Sequence, residues 1–122
     1  MSLPIKSAYA EVAAFTTKDG SQIRELMHPF THGNCAQSVA EALIEPGQKT
    51  RLHRHHVSEE IYHITQGSGS MWLDEATFKV YTGDTICIPP GSAHQIACEG
   101  EMVLKVLCVC TPAYAHEDTE LI

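Results

Sequence analysis

GQKTRLHRHHVSEEIYHITQG, residues 47–67, holds the densest chemistry in this chain, with landmarks at Gly47, His53, His55, Glu60 and Gly67. In an extended backbone successive side chains point to opposite faces, so His53 and His55 share one face while Arg54 and His56 take the other. Two imidazoles offset by one pleat can grip a single ion. The segment IYHIT is rich in β-branched and aromatic residues and reads as a second strand after a turn at Val57 and Ser58. Glu60 leads that strand, with Tyr62 and Ile64 on the same face, and brings a carboxylate to the side of the histidines.

A partner stretch, GDTICIPPGSAHQIAC, occupies residues 83–98. Its Pro-Pro-Gly turn breaks one strand and starts another, in which His94, Ile96 and Cys98 share a face. A third imidazole is thereby available. The two stretches resemble the paired motifs of the cupin superfamily, with fifteen residues, 68–82, between the glycines that bound them. The likeness spans residues 37–111. One motif alone would be weak; two in the right order and separation are specific. The family pattern usually closes with Asn four residues after the last His, where this chain has Cys98.

Composition sets compatible bounds. The 122 residues suffice for one domain with a real core, and 43% hydrophobic with 19% charged residues describe a globular chain. Fifteen acidic against eight basic residues give a net charge of −7. With no basic run, a nucleic-acid groove is excluded. No leader pattern and no apolar run of membrane length is visible, which predicts a cytoplasmic protein without membrane attachment. The five cysteines are odd in number and form no CxxC pair, so free thiols in a reducing compartment are expected.

Along the rest of the chain, YAEVAAF reads as extended, and TTKDGSQIREL has an Asp-Gly turn at Asp19 and Gly20 entering a short strand. MHPFTHGNCA reads as a loop whose His28 and His32 are solvated. QSVAEALIE reads as a strand, SGSMWLDEATFKVYTGD as a hairpin turning near Asp74 and Glu75, and DTICIP as a further strand. In MVLKVLCVCT both faces are mostly apolar, which predicts a strand covered on its outer side as well. The last eleven residues show no alternation and read as a tail or lid, with His116, Glu117 and Asp118 forming a solvated charged turn.

Some nine or ten short strands without a convincing helix argue an all-β sandwich or barrel. The cupin resemblance implies the topology: a double-stranded β-helix, or small jelly roll, with the metal face inside. The expected organisation is one cupin domain over 1–122, with N-terminal strands in 1–36, a barrel core at 37–111 and a tail or lid at 112–122. Small cupins are commonly dimers; together with the apolar last strand and Trp72, this predicts a homodimer.

His53, His55, Glu60 and His94 form a mixed nitrogen and oxygen donor set, suited to Fe, Mn, Ni, Cu or Zn and poor for Ca or Mg. Glu59 is the alternative carboxylate, but Glu60 agrees better with the gap to Gly67. Four protein donors leave open positions on one divalent ion for a small-molecule ligand or substrate. The resemblance implies a metal-dependent enzyme on a small chelating compound, foremost of dioxygenase type. Alternatives are a Lewis-acid isomerase or cyclase on a sugar or polyketide-like carbonyl compound, and a cupin that only binds its ligand. Tyr62 is the candidate acid or base. Lys49 and Arg51 share the parity of His53 and are candidates for the pocket mouth, as is Cys98 for its wall. Ile64, Ile96, Leu104 and Val106 are expected to line an apolar cavity.

Overall fold

The computed structural model describes residues 3–122. Its strands are β1 (Phe15–Thr16), β2 (Gln22–Met27), β3 (Ser38–Ile44), β4 (His53–His55), β5 (Glu59–Gln66), β6 (Ser68–Leu73), β7 (Ala76–Tyr81), β8 (Thr85–Ile88), β9 (His94–Glu99), β10 (Leu104–Thr111) and β11 (Thr119–Leu121). They build two antiparallel sheets, one ordered β1-β2-β3-β10-β5-β8 and the other β11-β4-β9-β6-β7. This is the all-β jelly roll that the alternating pattern and the two glycine-bounded stretches anticipated. Among the described residues no helix is long and apolar enough to cross a membrane.

The period-2 alternation carries through into burial. In β5, Glu60, Tyr62 and Ile64 point inward; in β9, His94, Ile96 and Cys98; in β10, Leu104, Val106, Cys108 and Cys110. Ile64, Met71, Ile88, Ile96, Leu104, Val80 and Val106 are almost fully buried, each aliphatic side chain contributing about 1.5–3 kcal/mol by leaving water. Gly69 on β6 has no room for a side chain: an added Cβ would collide with the Ala97 carbonyl oxygen on the neighbouring β9 and come within 3.1 Å of Leu104 on the opposite sheet. The β6–β7 hairpin turns at Asp74, which adopts φ 51°, a conformation that Asp tolerates.

Four expectations are corrected here. YAEVAAF is not uniformly extended: Tyr9–Glu11 form one 3-10 turn, fixed by the bond from the Tyr9 hydroxyl to Glu41 Oε1 at 2.6 Å and by the Arg24 guanidinium over the Tyr9 ring. Within MHPFTHGNCA, Pro29–His32 make a one-turn helix α1, with Pro at its start and Gly33 in the left-handed conformation at its end. The outer side of β10 is only half-covered within one chain, because Lys105, Leu107 and Val109 lie on the outer surface of the six-stranded sheet. The tail is not structureless. Thr119–Leu121 is a strand that pairs with β4, opposite Thr119↔His55 and Leu121↔His53.

Candidate metal centre

β4 and β9 lie side by side with His53 opposite His94, so the three imidazoles come from one sheet. Glu60 comes from β5 in the other sheet. The turn at Val57 and Ser58 therefore does not close a hairpin; it carries the chain across the sandwich, and Asp118 holds it by accepting from the backbone N–H groups of both residues. The ligand-capable nitrogens of His53, His55 and His94 lie within 4.8 Å of one another, and all three residues are buried. Glu60 Oε1 sits 3.2 Å from His55 Nε2 and 3.4 Å from His94 Nε2. Glu59, the other carboxylate of this stretch, is exposed.

Each ring is oriented by what its outer nitrogen touches. His53 Nδ1 meets the Arg51 carbonyl at 2.7 Å and His94 Nδ1 the Ser92 carbonyl at 3.0 Å. A carbonyl only accepts, so both Nδ1 atoms carry hydrogen. His55 Nδ1 meets Thr119 Oγ1 at 3.0 Å, and that hydroxyl donates to the Ala115 carbonyl, so it too accepts from the ring. All three neutral imidazoles are thus locked with the Nε2 lone pair inward, as metal-binding histidines require.

The result is a buried knot of acceptors without a donor. His94 Nε2 and Glu60 Oε1 have no hydrogen-bond partner, a costly arrangement unless a cation or a proton lies between them. The donor set therefore fits a divalent transition ion. Without one, the site recruits a proton. Burial opposes it, yet the Glu60 carboxylate raises the His55 pKa above its ordinary value. Burial likewise works against the Glu60 charge, but a proton taken up on the Nε2 of His55 or His94 would face this carboxylate and hold its pKa down at about 2. For His53, burial and then the neighbouring His94 lower the pKa, so this ring stays neutral.

The cavity above these groups has a volume of roughly 70 Å³, space for about five waters. Its apolar wall includes Phe15, Ile23, Ile96 and Val106; Ile64 and Leu104 lie in the core behind it instead. Tyr62 lines it, its ring edge-on to His94 at 5.9 Å. Lys49 and Arg51 are exposed and away from the mouth, because the chain before β4 departs from strict alternation and turns Thr50 inward. Cys98 is buried outside the cavity, donating to the Met102 carbonyl at 3.1 Å.

Several groups at the site gave no clear sign in the sequence. Cys110 sits directly across from Glu60, and its thiol donates to Glu60 Oε2 at 3.3 Å. Burial, then the Glu60 charge, pushes the Cys110 pKa far up, so it is a thiol and not a thiolate ligand. His28 is buried rather than solvated. Its Nδ1 accepts from the Phe30 N–H and its Nε2 donates to the Tyr114 carbonyl at 2.8 Å, so it caps α1 and straps the tail to it. Asp19, read only as a turn residue, points its Oδ2 at His53 Nε2 from 3.6 Å.

Comparison with known proteins places the fold in a family. A family model described as a cupin domain matches residues 40–110. The chain is 50% identical over 118 residues to the uncharacterized protein MJ1618 of Methanocaldococcus jannaschii, covering 97% of this chain and 94% of that one. It is 27% identical over 108 residues to the polyketide synthase CurC of Streptomyces cyaneus, covering 84% and 70% respectively. In structure it is similar to the Streptomyces protein Pac13 with bound uridine, at TM-score 0.81 and 16% identity over 99% of this chain and 92% of that one. Pac13 is described as a nucleoside dehydratase, and at this identity the likeness is one of fold.

Proposed function

Because this chain belongs to the cupin family, we propose that it is a metal-dependent enzyme acting on a small, uncharged organic compound that chelates the ion. The observation that carries the reading is the convergence of three buried, tautomer-locked imidazoles, two of them facing a Glu60 oxygen that has no partner of its own. His53, His55, His94 and Glu60 would hold the ion. When bound, it would supply Lewis-acid polarisation of a carbonyl or enol oxygen.

The wall supports an uncharged substrate. It carries three carboxylates, Asp19, Glu25 and Glu60, and no lysine or arginine among the described residues. Beyond the ion itself, a phosphosugar or a dicarboxylate would meet these carboxylates with no cationic side chain to offset them. Lys18, beside the wall residues Thr17 and Asp19, spends its ammonium on the Thr119 and His116 carbonyls, and Arg24, between Ile23 and Glu25, pairs with Glu41.

Tyr62 serves as a neutral donor. Burial, followed by the Glu60 charge, drives its pKa well above 10, so the phenol keeps its proton and donates a hydrogen bond to a substrate oxygen. It does not act as a base. This favours carbonyl-polarising chemistry that moves protons, an isomerisation, cyclisation or dehydration. A dioxygenase-type reaction is the second reading, favoured by the apolar wall at Phe15, Ile23, Ile96 and Val106. Two copies pairing through the half-covered outer side of β10 belong to the same reading, and light scattering measures that mass directly.

Elemental analysis of protein purified without chelator, beside the His55→Ala variant, tests the core of this proposal. About one equivalent of a transition metal, lost in the variant, supports it. Unchanged metal in the variant refutes the donor assignment. Turnover of an uncharged chelating carbonyl compound without oxygen supports the Lewis-acid route, and stoichiometric oxygen uptake replaces it with the oxygenase.

A further inference from the structure

Asp19 sits in the turn between β1 and β2, outside both histidine-bearing stretches. Its two carboxylate oxygens are used differently. Oδ1 is saturated: it accepts from Thr17 Oγ1 at 2.8 Å, from the Ser21 N–H at 2.9 Å and from Ser21 Oγ at 2.6 Å. The backbone is pinned as well, since the Asp19 carbonyl accepts from the Arg51 N–H at 2.7 Å, two residues before His53. Oδ2 makes none of these bonds and faces His53 Nε2 at 3.6 Å, with the side chain 14% exposed.

Asp19 thus reaches the one imidazole that Glu60 does not contact. Neighbouring donors on an ion with bonds of about 2.1 Å lie roughly 3.0 Å apart. The contacts from Glu60 to His55 and His94, at 3.2 and 3.4 Å, and from Asp19 to His53, at 3.6 Å, are all slightly wider than this. The donors that lie mutually within 4.8 Å are the three imidazoles, so both carboxylates would move inward to share their ion.

We propose that Asp19 is a fifth donor to the metal, a carboxylate delivered by the β1–β2 turn to the His53 side of the site. The inference rests on the reading of the site as a metal centre. Two carboxylates with three neutral imidazoles balance the charge of a divalent ion. Such a neutral site has no electrostatic call for an anion, in keeping with the wall.

Cobalt(II) is the probe, because its visible absorption strengthens as its coordination number falls. Asp19→Asn is the informative variant: its side-chain oxygen can keep the bonds from Thr17 and Ser21, which directs an amide NH₂ at the ion instead of an oxygen. Metal-free wild type and D19N should melt within about 1 °C of each other. On loading, D19N should bind cobalt at least about tenfold more weakly in competition with a chelator, and its bands should intensify. Ser21→Ala, which removes one of the bonds fixing Oδ1 and leaves the carboxylate in place, should shift the spectrum less. Equal affinity, or weaker affinity with an unaltered spectrum, overturns the proposal; the second result would mean that the charge acts without coordination. If D19N does not fold, an unchanged S21A spectrum and affinity overturn it. Wild-type protein that takes up no cobalt would instead overturn the metal reading and this one with it.

Discussion

Replacing Glu60 by Gln in the metal-free protein separates the charge of this residue from its shape. The carboxylate is 5% exposed, and its pKa of about 2 stands below an ordinary 4.5. At about 1.4 kcal/mol per pH unit, the gap corresponds to about 3 kcal/mol of stability. Because the folded-state pKa is depressed, that contribution is complete above pH 4.5 and is lost as pH falls through about 2. E60Q lacks it at every pH. In chelator-treated samples at pH 7, the variant should therefore melt about 12 °C below wild type, taking about 4 °C per kcal/mol for a chain of this size. At pH 3 only about one pH unit of the gap remains, so the difference should shrink to less than half. Thermal unfolding followed by circular dichroism at both pH values is sufficient. A difference that does not change with pH, or an E60Q variant as stable as wild type, would refute the reasoning, since burying a charged group can cost more than its partners return.

Three further outcomes follow from the same geometry. Thr119→Val removes the acceptor that fixes the His55 tautomer, and should weaken zinc binding by about 10- to 100-fold in chelator competition while shifting the metal-free melt little. Metal binding should release a proton, because His55 without a metal holds one above its ordinary pKa; calorimetry in buffers of different ionisation enthalpy reads the release, which should grow as pH is lowered toward 6.5. Gly69→Ala drives a Cβ into the Ala97 carbonyl and should cost about 3 kcal/mol or fail to fold, whereas Gly47→Ala, with nothing within 4 Å, should cost about 1 kcal/mol for its φ of 80°.

The placement of the candidate donors was legible because strand periodicity is local. His53 and His55 on one face, His94 leading β9 and Glu60 leading β5 all follow from a period of two and from glycine-bounded turns. How they meet was not local. That Glu60 arrives from the opposite sheet depends on pairing across the barrel, since β5 lies between β10 and β8 and β4 lies between β11 and β9. The positions of Asp19 beside His53 and of Thr119 beside His55 were hidden for a related reason. An Asp before a Gly is sufficiently explained as a turn, and a three-residue strand is too short to show alternation. Parity arguments also failed where the backbone is irregular, which is why Thr50, and not Lys49 or Arg51, faces the pocket.

The pairing of β11 with β4 has a consequence for how the protein is made. Thr119 lies 64 residues after the histidine it orients, and Lys18 ties the same strand to the other end of the chain. On a ribosome the three imidazoles emerge well before the strand that fixes one of them. The orientation of His55 is therefore complete only once β11 has paired with β4, so any ion that meets the three imidazoles earlier meets one ring still free to turn.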